Sequence, residues 1–237
     1  MTPPENPQPQ SPRQFLSGSL AFCFVLFFAG VMPFFTAGLH DSVPEWLFLL
    51  LAIVPVQLGN IASCLIPLWK YPSDRRWHQR LDLKKIGRAE LKQVFLGTLA
   101  VYLLAGAVTT LMVSLLRLAG ISPAEQPIVT MLRQGSPLIA AILIPSTVLL
   151  APAGEELCFR YAIFRVLESR TGFWAAAAMT ALFFAGAHAN LQVLPSLFLL
   201  SLWLSWLYRR TGSLLAPMLA HALFNAVSMA LILLTVN

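Results

Sequence analysis

The sequence predicts an all-α protein, a polytopic membrane helical bundle of about seven to eight transmembrane helices. Three observations predict it. Hydrophobic residues make up 57% of the 237 residues and charged residues only 11%, whereas a soluble domain carries about 25% charged residues. The apolar residues fall in runs long enough to cross a hydrocarbon core, which takes about 20 residues of helix. The 17 prolines and 13 glycines suit spans with kinks and tight turns, which membrane helices tolerate.

Residues 1–12, MTPPENPQPQSP, are rich in Pro and Gln without apolar periodicity, and read as a short disordered cytosolic tail. Phe15 to Leu39 is too long for a signal-peptide core and lacks an A-x-A exit, so it reads as an uncleaved first span that Pro33 kinks or ends. A short acidic connection, His40 to Glu45, leads to a second span from Trp46 to Trp69. Lys70 to Lys92 then holds eight basic residues, the signature of a cytosolic loop. The third span runs from Leu91 to Leu118, a loop continues to Ser136, and the fourth begins near Pro137 and carries Pro145 and Pro152. Either proline frees a carbonyl four residues earlier and loosens the helix. Thr171-Gly172 is a turn, Phe173 to His188 a fifth span whose small-residue run Ala175 to Ala178 permits close helix approach, Leu191 to Tyr208 a sixth, and Ser213 to Val236 the last. The expected organisation is a tail (1–12), N-terminal spans with a basic loop (13–135) and a C-terminal core (136–237).

With the N-terminus inside, 14 of the 16 Lys and Arg residues fall on cytosolic segments, Arg117 and Arg133 being the others. The net charge of +6 is therefore a topology signal, with the lipid bilayer as partner and no nucleic acid. Cys23, Cys64 and Cys158 sit in apolar runs with no C-x-x-C, so neither a disulfide framework nor a metal knuckle is indicated.

Chemistry concentrates in A-P-A-G-E-E-L-C-F-R, Ala151 to Arg160. Each ionised side chain at mid-membrane depth costs about 2.5 to 3.5 kcal/mol on insertion scales, so such residues face a protein interior or a wet cavity. Glu156 and Arg160 are four apart and can pair along one helix face. Glu155 then points elsewhere, and a carboxyl left without a partner in a poorly solvated place is the kind of group that general acid–base catalysis uses. If 155–188 is an antiparallel helical hairpin, Glu155 and His188 reach the same depth, about 24 Å from the turn at 1.5 Å per residue. His221 and Asn225 share a face of the last span, as Phe184 and His188 do of the fifth. His221 lies only nine residues past Gly212, so bending or a dipping turn is needed to bring it level. A buried structural ion pair, interhelical hydrogen bonding by His and packing by Asn are the plain alternatives for each residue alone.

E-E-x-x-x-R at Glu155, Glu156 and Arg160, F-x-x-x-H at Phe184 and His188, and H-x-x-x-N at His221 and Asn225, in that order on successive spans, resemble the CAAX protease and bacteriocin-processing family of intramembrane proteases. The resemblance covers residues 136–236. It implies an endopeptidase whose cavity opens toward the cytosolic side and which cleaves near the C-terminus of a membrane-associated protein or peptide. It further implies that Glu155 and His188 activate a water, that His221 and Asn225 stabilise the oxyanion, and that Glu156, Arg160 and Phe184 support them. No cofactor is expected on that mechanism. The alternative within the family is a zinc metalloprotease with Glu155, His188 and His221 as ligands, a chemically plausible set for a catalytic zinc, although H-E-x-x-H is absent and Asn is a poor zinc ligand. A transporter relay or an immunity or binding protein of the same fold are readings from other classes, and the absence of an inverted repeat in the first three spans speaks against the transporter. A short chain with no retention signal places the expectation in a bacterial inner membrane, N-terminus cytoplasmic.

Overall fold

The structure, a computed structural model, describes residues 12–30, 42–70, 81–123 and 127–236. The tail up to residue 11, Pro33, His40 and Asp41 of the acidic connection, and residues 71–80 of the basic loop lie outside them. Among the described residues every regular element is helical: α1 (Pro12–Gly30), α2 (Glu45–Lys70), α3 (Arg88–Leu118), α4 (Pro127–Gln134), α5 (Pro137–Thr171), α6 (Phe173–Ala187), α7 (Leu194–Thr211) and α8 (Leu215–Val236). Four of them, α2, α3, α5 and α8, are long and apolar enough to cross a membrane, and α6 is a shorter apolar helix. The chain is an integral membrane protein built as a helical bundle.

One expected loop is partly helical. Between Leu118 and Ser136 the chain forms α4, eight residues started by Pro127, since proline is pre-organised for the first helical turn. Its Leu132 is buried with Ile139 and Leu143 of α5, Leu49 of α2 and Met229 of α8. The span expected from Pro137 is a single 35-residue helix, α5, whose last turns carry Arg165, Glu168 and Arg170.

Two further cores hold the bundle. In one, Cys64 of α2 and Cys158, Phe159 and Phe164 of α5 meet Ala176, Ala177 and Phe184 of α6. The small residues on α6 let it lie close against α5, as membrane helices without a hydrophobic driving force between them require. In the other, Leu200, Leu204 and Leu207 of α7 face Val94 of α3 and Ala216 and Ala220 of α8. Elsewhere apolar side chains face outward, as lipid demands: Leu103 is 68% and Leu118 85% exposed.

At one end of the bundle the segment between α2 and α3 is tied across the helix ends. Asp82, at φ 54, accepts at its carbonyl from the Leu214 amide (2.8 Å) and at its carboxylate from Tyr208 (2.8 Å) and Arg165 (3.0 Å). Ser213 donates to the Lys84 carbonyl at 2.6 Å, and Arg209 pairs with Glu168 at 3.1 Å. Gly212, φ 59, makes the left-handed turn that ends α7 and starts α8 beneath this strap. Trp69 and Trp174, 87% and 77% exposed, stand at the same end, where amphipathic rings occupy a membrane interface.

Candidate active site

The site is made by irregularity in α5. Ser146–Leu150 and Leu157–Phe164 are wound as π-helix, separated by the α-helical turn Ala151–Glu156. Such insertions collect at functional sites because they leave backbone groups unpaired and re-aim side chains. Here the cause is legible in the chain. The Ala151 amide bonds back to the Ser146 carbonyl, five residues earlier, so in that register the Thr147 carbonyl looks to residue 152. Residue 152 is proline and has no N–H. The Thr147 carbonyl is instead filled by the side-chain amide of Asn225, 2.9 Å away on α8.

The second half of the site is a buried charge cluster. Glu156 Oε1 accepts from Arg160 Nη1 at 2.9 Å, both side chains being fully buried. Arg160 Nη2 donates onward to the Ser201 hydroxyl at 2.8 Å and carbonyl at 3.3 Å on α7. The same Glu156 oxygen lies 2.8 Å from Nδ1 of His221, itself 3% exposed. The pair expected at four-residue spacing is therefore present, and it is also the support of His221, which brings the last span level with α5 as the sequence required. Phe184 fills the space between: the Arg160 guanidinium lies 4.9 Å from its ring centre, and the rings of His188 and His221 lie 4.9 and 5.6 Å away.

Glu155 faces the other way. It lines a cavity of about 730 Å³ together with His188, His221 and Asn225, its side chain is 17% exposed, and its Oε2 has no hydrogen-bond partner among the described residues. The nearest basic atom to it is His221 Nε2 at 3.9 Å. His188, the residue that ends α6, holds Nδ1 at 2.8 Å from the Phe184 carbonyl. A carbonyl only accepts, as does a carboxylate paired with Arg160, so in both imidazoles the Nδ1 position carries hydrogen and Nε2 is the atom left for the cavity.

All seven residues singled out in the sequence are thus gathered, in two layers: Glu155, His188, His221 and Asn225 on the cavity, and Glu156, Arg160 and Phe184 behind it. Among the described residues no three His, Cys, Asp or Glu side chains converge as a metal shell.

Sequence reasoning missed Ser201, the Thr147 carbonyl and a polar face on α2. Gln57, Asn60 and Ser63 are 5%, 4% and 0% exposed, and Gln57 lines the cavity with its carboxamide oxygen directly against Gly154. Their spacing of three in an apolar span was a usable signal, since buried polar residues in membrane helices face the bundle interior. Ser201 carries no pattern of its own.

Comparison with known proteins agrees with the motifs. Residues 137–227, the stretch that holds all seven residues, match the family described as type II CAAX prenyl endopeptidase Rce1-like, in keeping with the CAAX protease and bacteriocin-processing resemblance. A curated Escherichia coli protein described as an uncharacterized 24.3 kDa protein is 39% identical over 105 residues, 42% of this chain. The matched stretch spans 48% of that relative's length. No solved structure matches the chain.

Proposed function

We propose that the chain is a metal-free intramembrane endopeptidase that hydrolyses a peptide bond near the C-terminus of a membrane-associated protein or peptide. The observation that carries this reading is the meeting of Glu155, His188, His221 and Asn225 on one cavity, backed by the buried Glu156–Arg160 pair. It is supported by the Rce1-like match over the same residues.

In the mechanism, a water is held between the Glu155 carboxylate and His188 Nε2. Glu155 takes a proton as the water oxygen attacks the scissile carbonyl carbon, a step that a positioned base accelerates by about 10² to 10⁴. The oxyanion needs donors. Asn225 has one amide hydrogen committed to Thr147 and a second to offer. His221, with hydrogen on Nδ1 toward Glu156, offers an acceptor at Nε2 until it receives a further proton, and Glu155 Oε2 stands 3.9 Å from that atom. Passage of the water's proton from Glu155 to His221 Nε2 turns His221 into the second donor when the oxyanion forms. Collapse of the tetrahedral intermediate then breaks the C–N bond, and the leaving amine recovers the proton. Donors placed in a site of low dielectric are worth about 3 to 4 kcal/mol each in such reactions.

The lipid bilayer and a peptide segment are the partners this implies, and the excess of basic residues in the Lys70 to Lys92 stretch and at Arg165 to Arg210 supports a cytoplasmic N-terminus. The test is peptide cleavage by the purified full chain in detergent, wild type beside Glu155→Gln, with and without a strong zinc chelator. Cleavage that needs Glu155 and ignores the chelator supports the proposal. Chelator-sensitive cleavage restored by zinc moves both histidines to a metal shell, and no cleavage by wild type returns the chain to the transporter and binding-protein readings.

A further inference from the structure

The direction from which a substrate reaches Glu155 is written in the two halves of the bundle. Lys70, the cluster from Lys84 to Lys92, Arg165, Arg170, Arg209 and Arg210 lie at one end, where α2, α5 and α7 finish and α3 and α8 begin, whereas Arg117 and Arg133 lie at the other. By the positive-inside rule the first end is cytoplasmic.

Between that end and the site the described residues form a buried plug. Behind Glu155 the Glu156–Arg160 pair and Phe184 are fully buried, and beyond them Phe164, Leu204, Leu207 and Leu214 are each 0% exposed. The strap of residues 81–87 closes over this plug, held by Asp82 to Arg165, Tyr208 and Leu214 and by Lys84 to Ser213. Opening it would expose buried charge, at a cost that polar groups without partners make steep.

The cavity extends the opposite way. Its walls are the first half of α2, the second half of α3 from Tyr102 to Thr109, α4 at Ile128 and Val129, and α8 from His221 through Ser228 to Thr235. Each of these leads away from the basic end. Apart from Glu155, His188 and His221, the polar groups along it are neutral, with hydroxyls at Thr109, Ser146 and Ser228 among apolar residues.

We infer that this cavity receives its peptide from the extracytoplasmic face, so that the substrate is a translocated peptide or the outward-facing tail of a membrane protein, with an uncharged segment at the scissile bond. The inference rests on the protease reading for what is cut, but not for where the cavity opens. It reverses the cytosolic opening that the family resemblance implies.

Single cysteines placed along the path test it in the full chain, expressed in intact bacterial cells and in inside-out membrane vesicles, with a membrane-impermeant maleimide as probe. The unsubstituted chain, whose Cys23 is exposed and whose Cys64 and Cys158 are buried, is the blank. Thr235→Cys at the mouth and Ser228→Cys within the cavity are expected to label in intact cells, and Lys85→Cys on the basic end only in inside-out vesicles. Labelling of Lys85→Cys in intact cells reverses the orientation and overturns the inference. So does a Ser228→Cys that labels only in inside-out vesicles, or from neither side, while Thr235→Cys labels from outside. Glu155-dependent cleavage is scored separately in detergent, where both faces are open, so loss of the protease reading and loss of the sidedness are distinct results.

Discussion

Glu155 and Glu156 are adjacent in the chain and belong to different regions of the molecule. Glu156 sits in the sealed half, 0% exposed, with one oxygen shared by Arg160 and His221. Glu155 sits in the open half, on the cavity, with Oε2 unpartnered among the described residues. A turn of about 100° between successive helical residues is enough to separate a carboxylate that holds structure from one that is available for chemistry. The sealed half makes the open half usable: a buried charge network orders His221 from behind, and a π-wound helix clamped by Asn225 fixes the wall beside it. Charge at membrane depth is tolerated here because the buried Glu156 carboxylate and Arg160 guanidinium pair at 2.9 Å.

The largest expected effect breaks this comparison at its open side. Glu155→Gln removes the proposed base but keeps shape and burial, so cleavage is expected to fall by about 10² to 10⁴, with thermal unfolding in detergent unchanged. If Glu155→Gln cleaves at the wild-type rate, the division of labour between the two glutamates is reversed.

Glu156→Gln attacks the sealed side. It leaves Arg160 buried without its counter-charge, which costs about 3 to 5 kcal/mol when one partner of a buried pair is removed, and the expected readout is a lower unfolding temperature. The double variant Glu156→Gln with Arg160→Met is expected to recover part of that loss, because an uncharged, well-packed pair carries no desolvation penalty. Activity is not expected to return with stability, since His221 still lacks the carboxylate behind its Nδ1. Recovery of both together in the double variant would make Glu156 purely structural.

Asn225→Ala tests the join between the halves. It removes a candidate oxyanion donor and uncovers the Thr147 carbonyl. The expected loss is about 10² to 10³ in kcat, with KM little changed. A fall in stability without a fall in kcat would assign Asn225 to clamping the π-wound segment alone.

How much of this was legible in the sequence follows from what each feature depends on. Helices α2, α3, α5, α6 and α8 were legible because apolar run length and glycine or proline punctuation act locally, and the Glu156–Arg160 pair was legible because four-residue spacing on a helix is geometry. The His221–Glu156 contact was not. It joins residues 65 apart, and counting from Gly212 left His221 at uncertain depth, since the strap from Asp82 to Lys84 that sets where α8 starts lies far away in the chain. The two prolines of α5 announced a loosened helix, yet its form, two π-wound stretches with one carbonyl handed to Asn225, depends on a partner from α8. Helix α4 was hidden for a different reason: with eight residues it is too short for periodicity to speak, and its apolar face is decided by Leu49, Leu143 and Met229 around it.

The smallest expected effect lies where α2 touches the site. Gly154 precedes the two glutamates, and a Cβ there would run into the carboxamide oxygen of Gln57. That oxygen is the far end of a flexible side chain that already lines the cavity, so the chain has somewhere to put it. Overpacking of a well-filled site costs about 1 to 3 kcal/mol, and a clash with the end of one long side chain places Gly154→Ala at the low end, about 1 kcal/mol. Alanine also favours helix over glycine by about 1 kcal/mol, which offsets most of that cost. The expected outcome is therefore a nearly unchanged unfolding temperature with a raised KM, because Gln57 is pushed into the space a peptide would occupy while Glu155 and His221 keep their positions. A fall in kcat at constant KM would show instead that α2 sets the angle of Glu155, and that the open half depends on its second wall as closely as on the charges behind it.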